Sequence, residues 1–93
     1  MNRNDDLITF SRVGNYKLVK LLLDNDASVH AWDNYALRVA AYYGHLDVVK
    51  LLLDNGANAN AENSHTLRWA ARNGHLDVAE LLNKHIKENR NEI

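Results

Sequence analysis

Gly44-His45-Leu46-Asp47-Val48 returns thirty residues later as Gly74-His75-Leu76-Asp77-Val78. The same step backwards from Gly44 lands on Gly14, and Lys20-Leu21-Leu22-Leu23-Asp24-Asn25 matches Lys50-Leu51-Leu52-Leu53-Asp54-Asn55. Leu7, Leu37 and Leu67 share this register, as do Phe10, Ala40 and Ala70. One such match could arise by chance; this many in one register cannot. Three copies therefore fill the 93 residues as one domain, at roughly residues 4–33, 34–63 and 64–93. Fixed-period self-similarity of this length is the mark of a stacked repeat architecture, in which no copy buries its apolar face alone.

Each copy reads as two short helices. Asn4, Asn34 and Ser64 occupy equivalent sites and offer side-chain oxygens to the free N–H groups of a first turn, so they are predicted N-caps. The first helix then runs to Gly14, Gly44 or Gly74, where glycine suits a left-handed helix end. The second starts near Tyr16, Leu46 and Leu76, with Asp47 and Asp77 at its positive end, and stops near Asn25 and Asn55. Within it, Leu18, Leu21 and Leu22 lie at i, i+3 and i+4, as do Val48, Leu51 and Leu52, and so share one face. The first helix carries small pairs, Ala40-Ala41 and Ala70-Ala71, that let neighbouring copies approach closely. The expected fold is an all-α solenoid of three helix pairs.

Composition narrows the function. Eleven Lys and Arg against twelve Asp and Glu leave a net charge of −1, against a surface built mainly for phosphate backbones. There is no cysteine, which removes disulfides, thiol catalysis and cysteine-ligated zinc. Asn2, Arg3, Asn4, Asp5 and Asp6 are too polar for a signal peptide. No apolar run reaches membrane-spanning length. These absences lead to an expected cytoplasmic location. No Gly-x-Ser-x-Gly turn, phosphate-cradling loop or His-Glu-x-x-His is present, so no enzyme activity and no cofactor are expected. His30, His45, His65, His75 and His85 lack a zinc-like His-x3-His spacing, so no metal is expected either.

Gly44 through Ala61, and Asn73 through Leu82, resemble ankyrin repeats, and the resemblance covers almost the whole chain. It implies antiparallel helix pairs joined by a projecting turn, and a concave face that binds other proteins. Two departures stand out. The period is thirty residues where ankyrin repeats commonly run about 33, with the shortfall between Ala61 and Leu67, so the connecting turns should be shorter. Tyr35-Ala36-Leu37-Arg38 and His65-Thr66-Leu67-Arg68 replace the usual Thr-Pro-Leu-His start. Such starts resemble the repeats of large amoeba-infecting DNA viruses, which would put the protein in a host cytoplasm or nucleus. His45 and His75 follow the helix-ending glycine, where the resemblance implies hydrogen bonds between neighbouring copies. Asp26 stands where the second copy has Gly56; if that site is left-handed, Asp26→Gly should stabilise the fold.

On the concave face that the resemblance implies, the residues that vary between copies are the candidate partner-binding set: Arg12, Trp32, Asp33, Tyr35, Tyr42, Tyr43, His65, Arg72 and Asn73. Tyr, Trp and Arg anchor interfaces, although Trp32 and one tyrosine could instead fill the groove left by a shortened turn. Trp69, in register with Val39 and Thr9, reads as partly buried packing rather than a contact residue. Arg38 and Arg68 read as a structural ladder bonding the preceding turn, or as anion contacts. The expected function is a protein-interaction module with an unidentified protein partner, binding neither nucleic acid nor membrane. A self-associating structural scaffold is the alternative.

Overall fold

A computed structural model describes residues 2–60 and 65–90, with side chains through Glu88. The described residues form six helices: α1 (Arg3–Val13), α2 (Tyr16–Asp24), α3 (Ala31–Tyr42), α4 (Leu46–Asp54), α5 (His65–Arg72) and α6 (Leu76–Arg90). Each odd helix pairs with the even one after it. The pairs stack so that α1, α3 and α5 make one row and α2, α4 and α6 a second, in a body of 39 × 31 × 19 Å. This is the all-α solenoid expected from the thirty-residue period.

The helix boundaries follow from glycine and asparagine. At the end of α1, Gly14 sits at φ 79°, its N–H donates to the Ser11 carbonyl, and the next N–H, of Asn15, reaches back to Phe10 at 2.9 Å. Gly44 and Gly74 end their helices the same way. This left-handed cap satisfies carbonyls that a helix otherwise leaves open. At the second helix ends, Asn25 and Asn55 donate side-chain N–H bonds to Leu21 and Leu51, and Asp26 (φ 71°) and Gly56 (φ 95°) turn left-handed. In the third copy Lys84, His85 and Ile86 occupy the corresponding sites. No left-handed former intervenes, and α6 continues to Arg90.

The core lies between the rows. Leu7, Leu37, Leu52, Leu82, Val19, Val48, Val49 and Val78 are fully buried, and each leucine so buried contributes roughly 1.5–3 kcal/mol. Ala40, Ala41 and Ala70 are completely covered where α3 meets its neighbours. Ser11 takes the place of Ala41 in the first copy; it too is buried, and its hydroxyl has no hydrogen-bond partner.

One expectation is corrected. Asn4 and Asn34 do not cap their helices. Asn4 Oδ1 accepts from the Ser28 N–H at 2.8 Å, and Asn34 Oδ1 from the Asn58 N–H at 2.9 Å. Each asparagine ties the start of its copy to the strip leaving the copy's second helix. That strip has no ladder or helix to satisfy its N–H groups, so the side chain supplies the acceptor. The cap of α1 is Asn2, which accepts from the Asn4 N–H at 2.8 Å. Ser64, the third predicted cap, lies outside the described residues, as does most of the segment between Ala61 and Leu67.

The connection into α3 is described, and it is tight. Trp32, Asp33 and Asn34 all have positive φ, between 54° and 58°, a left-handed turn ahead of the regular helix. Left-handed geometry costs L-residues roughly 1–2 kcal/mol each. Arg38 holds the turn from the next helical turn: Nε donates to the Asp33 carbonyl and Nη2 to the Trp32 carbonyl, both at 3.1 Å. The structural reading of Arg38 is therefore the one its geometry bears out.

Candidate functional site

The site is built on the α1–α3–α5 row. The glycine that ends α1 lets the next copy's histidine come close: a Cβ at Gly14 would lie 2.5 Å from His45 Nδ1. In that position the His45 Nε2–H donates to the Arg12 carbonyl at 2.8 Å. A carbonyl only accepts, so the proton is on Nε2. The His45 ring also stacks with Tyr43, centroids 6.5 Å apart. One histidine thus fixes the backbone at Arg12 and the ring of Tyr43 together, which joins neighbouring copies as the resemblance implies. The His75 ring packs on Gly44 in the same way.

From that anchor a run of rings extends across the row. Tyr42 meets Tyr43 edge to face at 5.0 Å, and Tyr42 meets Trp69 at 6.0 Å. The Arg72 guanidinium lies over Trp69 at 5.8 Å, and that of Arg38 over Tyr35 at 4.8 Å. Between them lies a groove of about 430 Å³ lined by Arg12, Tyr35, Arg38, Val39, Tyr42, Tyr43, His65, Thr66 and Trp69. The rings are not core: Tyr42 is 42% exposed, Tyr43 51% and Trp69 49%. Such rings are rigid, with an apolar face and a polar edge, and they present contact area at little entropic cost.

The structure thus brings Arg12, Tyr35, Tyr42, Tyr43 and His65 together in one groove. Trp32 and Asp33 line a shallower hollow beside it with Asp5, Ile8 and Thr9, which shares Tyr35 and Arg38 with the groove. Trp32 is 69% exposed, so it does not fill space left by the short turn. Arg72 joins His65, Arg68 and Trp69 in a third, smaller hollow. Asn73 is in neither the groove nor the hollows: its side-chain N–H donates to the Trp69 carbonyl at 2.9 Å and closes the end of α5.

Arg38, Val39 and Thr66 line the groove from outside the candidate set, and so does Trp69. Its register partners Thr9 and Val39 are ordinary scaffold residues, so no variation toward interface types precedes it in the chain. In the structure Trp69 stands exposed where Val39, in the same register, is buried. Asp47 and Asp77 accept from the N–H groups of Val48 and Val78, both at 2.8 Å, a helix-start role and not an acid–base pair. Among the described residues no group of three or more His, Asp or Glu could hold a metal ion, and no helix is long and apolar enough to cross a membrane.

A family model described as ankyrin repeats, in three copies, matches residues 7–92. No curated protein matches the chain.

Proposed function

The chain belongs to the ankyrin-repeat family, and from that premise we propose that it docks a partner protein in the groove between α1, α3 and α5. Ankyrin repeats are in general protein–protein interaction modules and typically non-enzymatic. The observation that carries the reading is the exposed run Tyr43–Tyr42–Trp69, held from below by His45 and flanked by Arg38 and Arg72. Those rings are preorganised by contacts with one another, so a partner meets a face already in its binding shape, which keeps ordering costs low. Tyr42, Trp69 and Arg72 are the anchors; Arg12, Tyr35, Tyr43 and His65 complete the contact face, and Trp32 and Asp33 extend it.

The test compares proteins retained from a eukaryotic extract by the wild type, by Tyr42→Ala, by Trp69→Ala and by Leu76→Ala. Leu76 is exposed but lies on the other row. A protein held by the wild type and by Leu76→Ala, and lost from both aromatic variants with their helix content intact, supports the reading. Retention by the wild type and all three variants sinks it. Each anchor is expected to be worth more than about 1 kcal/mol.

Self-association has one observation in its favour. Leu21 in the first copy is 55% exposed, while Leu51 and Leu81 in the same register are partly buried. A melting temperature that rises with protein concentration would support a stacked second copy.

A further inference from the structure

The basic residues divide between the two rows by type. Five of the six arginines, Arg3, Arg12, Arg38, Arg68 and Arg72, lie in α1, α3 and α5; the sixth, Arg90, ends α6, and every lysine lies in α2, α4 or α6. Lysine is a strongly hydrated point charge suited to solubility, whereas the planar arginine fork matches a carboxylate with two parallel bonds and stacks on rings. Arg12 and Arg38 line the aromatic groove, Arg68 and Arg72 line the hollow that shares His65 and Trp69 with it, and no lysine lines either.

The acids divide as well. Among the described residues no carboxylate lines the groove or the hollow of His65, Arg68, Trp69 and Arg72, and none pairs with Arg12, Arg68 or Arg72. The chain as a whole carries a net charge of −1, so this local excess of positive charge is segregation, not a general basic character. Stacking on Trp69 leaves the edge of the Arg72 guanidinium, where its N–H donors lie, open to a ligand.

We propose that the groove recognises an acidic protein segment, with Asp or Glu side chains meeting Arg12, Arg68 and Arg72 and an apolar side chain seated against Tyr42 and Trp69. This rests on the docking function above and specifies the partner's chemistry. Rings and guanidinium groups also suit single-stranded nucleic acid. Two features favour protein. A phosphate chain needs a continuous positive track, and the neighbouring hollow is lined by Asp5 and Asp33, so the positive surface stops within one groove length. No lysine extends it along the row.

The experiment pans the full chain against a displayed library of random peptides and sequences those retained. The affinity of the enriched peptides is then measured by tryptophan fluorescence at low and at physiological salt, for the wild type and for Arg12→Gln/Arg72→Gln. The expected result is enrichment of Asp and Glu beside an aromatic or aliphatic residue. Affinity should weaken with salt and fall by about tenfold or more in the double variant. The salt response of the wild type needs no variant, so it decides the matter if the double variant folds poorly. Enrichment of neutral or basic peptides, an affinity indifferent to salt, or displacement of the peptides by oligothymidylate overturns the proposal. Neutral or basic peptides that Tyr42→Ala releases would leave the docking function standing; no enrichment of any composition would overturn both.

Discussion

Replacing Asp26 by glycine should raise stability, and the size of the effect can be built from three terms. Asp26 holds φ at 71°, and Gly56 in the same register of the next copy holds 95°. Aspartate tolerates this region better than most residues, so the strain is near the lower end of the left-handed penalty, about 1 kcal/mol. Asp26 also places a carboxylate just beyond the C-terminus of α2, beside the open carbonyls, a repulsion of about 0.3 kcal/mol at an exposed site. Against these, glycine gives the unfolded chain extra freedom, a cost of about 0.4–1 kcal/mol. The net gain is about 0.5 kcal/mol, and for a domain of this size it should raise Tm by about 2–4 °C. Asp26→Asn keeps the left-handed tolerance and removes the charge, so it isolates the electrostatic term; its smaller gain should shrink as salt is added. The converse change, Gly56→Asp, should lower Tm. A Cβ there has open space within 4 Å, so a loss would come from φ and charge, not collision. The assay is thermal melting followed by circular dichroism at two salt concentrations. A Tm for Asp26→Gly at or below that of the wild type refutes the reasoning.

Four further substitutions probe the scaffold. Ser11→Ala should stabilise by about 1 kcal/mol or more in chemical denaturation, because it removes a buried hydroxyl with no partner and installs the residue of the next copy. Gly14→Ala and Gly74→Ala suffer the same strain, at φ 79° and 80°, but only the first drives a methyl into the His45 ring; Gly14→Ala should therefore melt several degrees lower than Gly74→Ala, and equal midpoints would remove His45 as the cause. Asn34→Ala should cost about 1–3 kcal/mol by leaving the Asn58 N–H without its acceptor, and faster amide exchange at Asn58 is the residue-level readout.

The fold was legible because its determinants are local and repeated. Glycine thirty residues apart, asparagine at the second helix ends and leucine at i, i+3 and i+4 each act within one helical turn. Much of the groove was legible by the complementary signal: Arg12, Tyr42 and Arg72 share one register site and Val13, Tyr43 and Asn73 the next, and neither site keeps a single residue through all three copies. What was misread depends on contacts across longer separations. Asn34 was recognisable as an acceptor, but the N–H it serves is on Asn58, twenty-four residues on, and no helical rule selects that donor. Asn73 is a different case: it varies like its neighbours, and its amide bonds a carbonyl only four residues back on its own helix. Trp69 was misjudged because register alone assigns it the packing of Val39, and its larger ring stands exposed where the valine is buried.

Those cases suggest how divergence within a repeat array should be weighed. Ser11 departs from alanine and Asp26 from glycine at sites whose surroundings are fixed by the stack: one is a sealed interior position, the other a left-handed corner. A departure there costs stability. Tyr42, Tyr43, Trp69 and Arg72 depart at sites open to water, where bulk and charge meet no scaffold constraint, and there they gather into touching pairs. Trp32 combines the two conditions: the ring is open to solvent while its backbone sits in the left-handed turn that Arg38 holds. The short turn carries the tryptophan outward at a cost in backbone strain, which the two Arg38 hydrogen bonds help to offset. The thirty-residue period thus acts through its short turn as well as its stack, because the missing residues leave Trp32 on a rigid corner beside the groove instead of on a projecting loop.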